Sequence, residues 1–231
     1  MISFEAVAKR YGNGREALKN ISLHVAPGEM VFLTGRSGAG KSTILKLIAL
    51  LERPTRGRVA VSGEDTSRLR AGRVPAFRRR VGVVFQDHRL LADRPVFDNV
   101  ALPLVVADTS LKEIDKRVRA ALNQVGLLGS ERARPSELSV GEQQRVGIAR
   151  AIVSRPPILI ADEPTGNLDP ELGREVMALF RRLNEVGVTV VVATHDLHLV
   201  QESGLRSIVI ENGSVVGHQS SGQLPVLKAR A

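Results

Sequence analysis

Short runs of apolar, largely β-branched residues alternate with segments of helical periodicity along much of this chain. The runs predict strands at residues 30–34, 58–61, 81–85, 158–161, 188–193 and 207–210. The sequences ILIA (158–161) and VTVVVA (188–193) are apolar at nearly every position, which is typical of strands covered on both faces. The alternation therefore predicts an α/β fold with a largely parallel sheet.

The alternation stops between residues 87 and 155, where helical patterns replace the short apolar runs. Residues 111–125 and 142–153 each carry apolar side chains at helical spacing, which predicts two helices, the first clearly amphipathic. This middle section is interpreted as a helical subdomain inserted into the sheet domain. The predicted boundaries are a single domain at 1–217, with a core at about 1–86 and 156–217 and a helical subdomain at about 87–155, and a C-terminal tail at 218–231.

The composition supports a folded domain without disulfides. Hydrophobic residues make up 43% of the chain, and there is no cysteine for a disulfide or a thiolate metal site. The N-terminal residues MISFEAVAKRY alternate like a strand and do not resemble a signal peptide. The most apolar runs, at 100–107 and 188–194, are far shorter than the about 20 residues that span a bilayer. We therefore expect a soluble protein whose membrane role comes through a partner.

The net charge of +9 leaves three interpretations open. The basic residues can form an ordinary solvated surface, a patch facing a membrane or a protein partner, or a nucleic-acid interface. The densest cluster is Arg78, Arg79 and Arg80, directly before the strand predicted at 81–85. One tyrosine and no tryptophan leave few platforms on which bases could stack, which counts against nucleic acid.

The segment GRSGAGKST, residues 35–43, follows a predicted strand and matches the phosphate-binding pattern G-x-x-x-x-G-K-[ST]. Its glycines let the backbone curl so that successive N–H groups point at a phosphate, and the following helix directs its positive end at the same anion. Lys41 is placed to reach phosphate oxygens, and the Ser42 hydroxyl to bind Mg²⁺. The predicted nucleotide-binding residues of this loop are Gly35, Arg36, Ser37, Gly38, Ala39, Gly40, Lys41, Ser42 and Thr43.

A second candidate site lies at ILIADEP, where an apolar strand ends in two carboxylates. Asp162, at the carboxyl end of the strand, is placed to hold Mg²⁺, through the water shell of the ion. Glu163 points differently and is a candidate general base for the water that attacks a γ-phosphate. Taken without the phosphate loop, the same two residues could simply end a strand and cap the next turn.

These segments and four others resemble the ATP-binding cassette (ABC) ATPases over residues 2–217. In chain order the marks are the loop at 35–43, Gln86 after a strand, LSVGEQQR at 138–145, the acidic strand end at 158–163, GNLD at 166–169, and His195 after a strand. The resemblance implies a P-loop NTPase (RecA-like) core sheet with N-terminal antiparallel β elements and an inserted helical subdomain. It also implies an ATPase that uses ATP and Mg²⁺ and releases ADP and phosphate.

The resemblance implies roles for three further side chains. Tyr11, the only tyrosine, falls where the family stacks an aromatic ring on adenine; the alternative is an ordinary strand aromatic. Gln86 corresponds to the glutamine that reaches Mg²⁺ and the attacking water, and the alternative is a surface glutamine. His195 falls where the family contacts the γ-phosphate, and a structural histidine at a strand end is the alternative.

The segment LSVGEQQR, hereafter the signature segment, has the appearance of a helix start, where N–H groups attract anions. It has no lysine and no glycine loop, so it does not form a nucleotide site alone. The resemblance implies a head-to-tail homodimer in which Ser139 and Gly141 close over the γ-phosphate held by Lys41 of the other copy. Asp169 matches the aspartate that crosses this dimer interface, with turn capping as the alternative. Val140 departs from the usual Ser-Gly-Gly, and we expect function to survive this change.

The narrower resemblance is to the branch of lipoprotein-release, macrolide-export and cell-division ATPases, in which DEPTGNLD is typical. The segments GEMVFLTG and FQDHRLL are most similar to the FtsE family of cell-division ATPases. That family pairs with an integral membrane protein of the FtsX type at the division site, on the cytoplasmic face of the inner membrane, and its cycle controls cell-wall hydrolases. No nucleic-acid partner is implied.

Alternatives to this interpretation come from three classes of protein. They are the ATPase subunit of a lipoprotein or drug exporter, a nucleic-acid machine, and a nucleotide-gated scaffold with little turnover. The family resemblance also implies a groove for a cytoplasmic helix of the membrane partner, with candidate lining residues Leu90, Leu91, Val96 and Phe97, which could equally be internal core.

Overall fold

The computed structural model describes residues 1–166 and 168–219. In chain order the strands and helices are β1 Ile2–Arg10, β2 Glu16–Val25, β3 Met30–Thr34, α1 Lys41–Ile48, β4 Arg56–Val61, β5 Glu64–Asp65, α2 Val74–Arg78, β6 Val81–Val84, α3 Val96–Val106, α4 Leu111–Gln124, α5 Val140–Ile152, β7 Ile158–Asp162, α6 Pro170–Glu185, β8 Thr189–Thr194, α7 Leu197–Ser203, β9 Ser207–Glu211 and β10 Ser214–Gln219. These elements form two compact units, described separately below. Unit 1 contains residues 1–26, 30–68 and the chain from 191 onward, and unit 2 contains residues 27–29 and 69–190.

Unit 1 is built on strands. An antiparallel sheet has the strand order β2-β1-β4-β5, in which Ile2 pairs with Val25 on one side and with Val61 on the other. A second sheet places β10, β9, β3 and β8 side by side in that order, with β3 and β9 parallel. Every residue of β3 is buried, which matches its continuous apolar sequence. The phosphate-loop sequence follows this central strand directly.

Unit 2 carries most of the helices. Strands β6 and β7 pair in parallel, and α3, α4 and α5 pack against one another, with α5 also against β6. Gly82 of β6 permits this packing, since a Cβ there would collide with the Ala151 carbonyl and lie 2.8 Å from Pro156 Cγ. Within residues 85–157, all of which the structure describes, there is no strand.

The six predicted strands are confirmed, with ends that differ by at most two residues, as are the helices predicted at 111–125 and 142–153. No bounds were predicted for strands β2, β5 and β10 or for helices α2, α3, α6 and α7. The domain boundaries stay a prediction, because the two compact units divide the chain at other positions. Of the predicted tail, residues 218 and 219 belong to β10 and the rest lies outside the described residues. Within the described part of the chain, no helix combines the length and apolar character needed to cross a membrane.

Candidate functional site

The loop between β3 and α1 has a backbone that only glycine accommodates at its key positions. Gly35 and Gly40 have φ angles of 145° and 118°. A Cβ at Gly40 would lie 2.8 Å from Leu18 Cδ2 and 3.0 Å from the Ala17 carbonyl oxygen, and one at Gly35 would overlap the Ile210 carbonyl. Any larger residue at either position would therefore push the loop away from β2 or β9.

Lys41 lies beneath this loop, with only 6% of the residue exposed. Its Nζ donates hydrogen bonds to the Gly35 carbonyl at 2.7 Å and the Arg36 carbonyl at 3.3 Å. Helix α1 begins at Lys41 with no side-chain cap from Gly40 and no acidic residue in its first turn. An ammonium group and an uncapped helix start at one point make a site that fits the oxygens of a phosphate.

A cavity of about 380 Å³ adjoins the loop within unit 1. It is lined by Tyr11, Asn13, Arg15, Ala17, Gly38, Ala39, Gly40, Lys41, Ser42, Thr43 and Lys46. Tyr11 Oη and Thr43 Oγ1 share a hydrogen bond at 3.3 Å, and Lys9 Nζ lies 5.0 Å from the centroid of the tyrosine ring. The structure therefore brings Tyr11 to the phosphate loop, as the resemblance implied, although its stacking on adenine stays a prediction.

Sequence reasoning missed Asn13, Arg15, Ala17 and Lys46, which line the same cavity. Arg15 Nη2 donates to the Gly38 carbonyl at 3.4 Å, which places a second cation beside the loop. For Asn13 and Arg15 the available signal was the polar turn that follows Tyr11, since residues in that turn lie near the aromatic ring.

In unit 2, the two carboxylates of the second site end strand β7. Asp162 is the last residue of the strand, and Glu163 follows it with φ of 49°, in the left-handed region. Both are half-buried. A glutamate in this region costs about 1–3 kcal/mol and persists only where the surrounding structure imposes it, so the turn directs Glu163 away from the course of the strand.

Gln86 lies at the same edge of unit 2. Strands β6 and β7 are parallel, and Val84 pairs with Ala161. Gln86 follows Val84 by two residues, and Glu163 follows Ala161 by two residues, so both lie just past the carboxyl ends of adjacent strands. Asp162 lies between Ala161 and Glu163 in the chain. The Gln86 side chain is exposed. This register brings together three of the predicted metal and catalytic residues.

The signature segment starts helix α5 with a capping box. The Ser139 Oγ accepts a hydrogen bond from the Glu142 N–H at 3.3 Å and donates one to Glu142 Oε2 at 2.8 Å, while the Ser139 N–H donates to the same oxygen at 2.9 Å. The hydrogen bonds from the Ser139 backbone and hydroxyl lower the pKa of the Glu142 carboxyl. The helix start expected from the sequence is confirmed.

Residues 140 and 141 differ in their surroundings. Val140 is 52% exposed and is the first residue of α5, with no positive φ, so valine fits this position without strain. A Cβ at Gly141 would lie 3.1 Å from Leu172 Cδ2 and 3.3 Å from Leu168 Cδ2. Of the two positions, Gly141 is therefore the one that leaves little room for a side chain.

Asp169 and His195 each precede a helix. Asp169 Oδ1 accepts hydrogen bonds from the N–H groups of Glu171 and Leu172, both at 3.0 Å, and so caps α6. This is the turn-capping alternative seen within one chain; the interface role stays a prediction. His195 is exposed between β8 and Asp196, the N-cap of α7, and belongs to unit 1.

Comparison with known proteins defines the class. The family model "ABC transporter" matches residues 18–166, which include the phosphate loop, Gln86, the signature segment and the carboxylates after β7. The chain belongs to the ABC transporter family, and its fold is that of an ABC ATPase cassette.

Individual relatives are similar over nearly their whole length. The chain is 53% identical to the "Cell division ATP-binding protein FtsE" of Escherichia coli K12, over 95% of this chain and 100% of the relative. It is 46% identical to the protein of that name from Bacillus subtilis, over 96% and 98%. The solved dimer of the cassette MJ0796 in a post-hydrolysis state, bound to ADP and Pi, has a TM-score of 0.90 at 37% identity, covering 97% of this chain and 100% of that one.

Proposed function

We propose that this chain is the ATP-hydrolysing subunit of an FtsE–FtsX-type complex in bacterial cell division. It acts as a homodimer at the cytoplasmic face of the inner membrane, and a membrane partner transmits its cycle to cell-wall hydrolases. The observation that carries the proposal is the full-length similarity to FtsE, at 53% identity, combined with a formed phosphate loop and adjoining cavity.

Nucleotide binding is assigned to unit 1. Lys41 presents its ammonium to the β- and γ-phosphates, and the loop glycines let the backbone N–H groups approach them. Tyr11 and Arg15 line the adjoining cavity, where Tyr11 would contact the adenine. Exchanging the carbonyl partners of Lys41 for phosphate oxygens gives the ammonium ionised acceptors, so that both partners of the hydrogen bond are charged.

Mg²⁺ binding is assigned to Ser42, Asp162 and Gln86. Within residues 1–166 and 168–219, no group of three or more His, Cys, Asp or Glu side chains could hold a metal ion by itself. This donor set offers one carboxylate and two neutral oxygens, which fits Mg²⁺, an ion usually held by one or two carboxylates together with substrate phosphates and waters. The bound ion would neutralise phosphate charge during hydrolysis.

Hydrolysis is assigned to Glu163 as the general base for water, with Gln86 orienting that water and His195 contacting the γ-phosphate. The left-handed backbone at Glu163 supports this role, because strain of this kind concentrates where a side chain must be aimed. Ser139, Gly141 and Asp169 belong to the second half of the site, which the other copy supplies. The dimeric form of the structural neighbour MJ0796 supports that arrangement.

The loop before α3 supports a docking role for part of the predicted groove. Leu91 is 40% exposed and Leu102 of α3 is 37% exposed. Asn99 is fully buried, and its amide bonds to the Leu91 N–H and to the carbonyls of Leu91, Arg94 and Pro95, which fixes the loop. Val96 is also fully buried, so of the two alternatives left open for it, groove lining and internal core, the structure shows the second.

We expect Leu91→Asp to abolish recovery of the membrane partner while nucleotide affinity stays unchanged, because the charge disrupts an apolar contact outside the nucleotide cavity. The measurement is co-purification of the tagged protein from detergent-solubilised membranes. Leu111→Asp is the matched control, since Leu111 is 85% exposed and lies outside the loop. Equal recovery of the partner with Leu91→Asp would remove this surface from the proposal.

The same co-purification tests the proposed function itself. Mass spectrometry of the wild-type complex should identify an FtsX-type membrane protein. Recovery of a lipoprotein-release or drug-export permease instead would assign the chain to an exporter and overturn the cell-division role.

A further inference from the structure

The residues around Gln86 are tied to one another by Arg89. Arg89 Nε donates to Asp87 Oδ1 at 3.1 Å, and its guanidinium lies 4.4 Å from the centroid of the Phe85 ring. Phe85 and Asp87 flank Gln86 in sequence, so one side chain holds both neighbours of the predicted metal and water ligand. We call residues 85–89 the glutamine loop.

Arg150, in the last turn of α5, bonds to the backbone of this loop. Its Nη1 donates to the Arg89 carbonyl at 2.7 Å, and its Nη2 donates to the His88 carbonyl. His88 and Arg89 have φ angles of 55° and 49°, two consecutive left-handed residues that are not glycine. The loop also passes close to the helix one turn earlier, where a Cβ built on Gly147 would lie 3.9 Å from the His88 oxygen, an ordinary contact distance.

The charge of Arg150 makes its contact with the glutamine loop an unusual way to stabilise a fold. Burial lowers the pKa of Arg150, and the charge of Asp87 acts in the opposite direction. In the part of the chain that the structure describes, the guanidinium bonds to two carbonyls and to no carboxylate. A half-buried cation that bonds to carbonyls contributes little to stability compared with an apolar side chain. Two bonds from the planar guanidinium, in contrast, define the position of a backbone well.

We propose that Arg150 is a positioning residue for Gln86, which couples the glutamine loop to the signature segment. Helix α5 joins the two contacts: Arg150 lies in its last turn, and Ser139 is its N-cap. Movement of the loop under a docked partner therefore acts on the helix that presents Ser139. The proposal rests on the proposed function, because it requires Gln86 to take part in hydrolysis.

The test is a double-mutant cycle on the purified membrane complex. Arg150→Gln should lower kcat by at least about tenfold with the KM for ATP within about twofold, because the nucleotide loop is untouched. In a Gln86→Ala background, the same substitution should lower kcat by less than about twofold, because Arg150 acts through Gln86. If Arg150→Gln does not fold, Arg150→Lys takes its place in the cycle, since an ammonium lacks the two-nitrogen fork.

The matched control is Arg53→Gln. Arg53 also bonds two consecutive carbonyls, Thr66 at 3.0 Å and Ser67 at 2.9 Å, but belongs to unit 1. It should reduce thermal stability and leave kcat within about twofold. In nucleotide-free protein, hydrogen exchange at residues 87–91 should accelerate with Arg150→Gln and not with Arg53→Gln.

Equal fold losses from Arg150→Gln in both backgrounds, or unchanged exchange at residues 87–91, would overturn the positioning role. Failure of the proposed function gives a different result: co-purification would then recover a permease that is not of the FtsX type, while the double-mutant cycle and the exchange difference remained measurable.

Discussion

Glu163 concentrates two features that seldom occur together at one residue: a carboxylate after a buried strand and a left-handed backbone. The backbone conformation separates its direction from that of Asp162, its neighbour in the chain. Two adjacent carboxylates can therefore serve two purposes, one toward the metal ion and one toward water. The proposed division of roles belongs to single residues and is tested by single substitutions.

We expect Glu163→Gln to bind ATP, to dimerise, and to lose about 10²–10⁴-fold in hydrolysis, because the amide cannot accept the proton of water. Phosphate release and nucleotide affinity are measured on wild type and variant. Glu175→Gln is the control, since Glu175 is an exposed residue of α6. A variant that hydrolyses ATP at the wild-type rate would instead identify a nucleotide-gated scaffold or another base.

At the scale of elements, helix α5 joins several features of unit 2. Its first turn holds the capping box of Ser139 and Glu142, and its last turn holds Arg150 against the glutamine loop. The Glu142 carboxylate lies at the same helix start that the γ-phosphate would approach in the dimer. In a single chain, the capping box thus provides hydrogen-bond partners for N–H groups at the start of α5.

The capping box predicts a pH dependence of stability. Its hydrogen bonds lower the pKa of Glu142 in the folded state, so their contribution is present above the unfolded-state pKa of about 4.3 and is lost as pH falls through the lower folded value. In urea titrations between pH 5 and 3, the free energy of unfolding should fall less steeply for Glu142→Gln than for wild type. Identical slopes would show that the charge of the Glu142 carboxylate contributes nothing to stability.

The exposure of Leu91 and Val96 shows what hydrophobic periodicity does not predict. Leu91 and Val96 are both apolar residues of the segment leading into α3, yet one is 40% exposed and the other fully buried. The Leu91 backbone is held by hydrogen bonds to the Asn99 amide, whereas Val96 is the first residue of α3. No sequence pattern within the segment distinguishes the two positions.

At the scale of the whole molecule, the proposed function gives one chain two half-sites. It assigns nucleotide binding to the phosphate loop and cavity, and it assigns the other half to the signature segment, a helix start with no lysine. In a symmetric head-to-tail dimer, each half-site would meet the complementary half-site of the other copy, which gives two complete sites. This is the closed arrangement expected of a homodimer.

This arrangement predicts complementation between two inactive variants. Lys41→Ala and Ser139→Arg should each form inactive homodimers, whereas a mixture should recover about a quarter of the wild-type rate. About half of randomly paired dimers are heterodimers, and each of these has one intact site. ATPase activity is measured on separately purified variants and on their mixture. No recovery on mixing, with heterodimers demonstrated by cross-linking, would show that the two sites act only together or that the half-sites are not shared.

The sequence by itself determined the features that depend on neighbouring residues. The phosphate loop follows from nine consecutive residues after a strand, because glycine freedom and helix-start chemistry act over that distance. The buried strands follow from continuous apolar runs, and the start of α5 from Ser139. The order of the six family marks then identified the class.

Only the tertiary structure decided which distant residues meet. Tyr11 reaches Thr43 across 32 residues, and Arg150 reaches the glutamine loop across more than 60. These contacts depend on how strands pair and helices pack, which the composition of either segment does not encode. The burial of Val96 and the hydrogen bonds of Arg150 were likewise decided only by the tertiary structure, because burial and hydrogen-bond partners are properties of the packed chain.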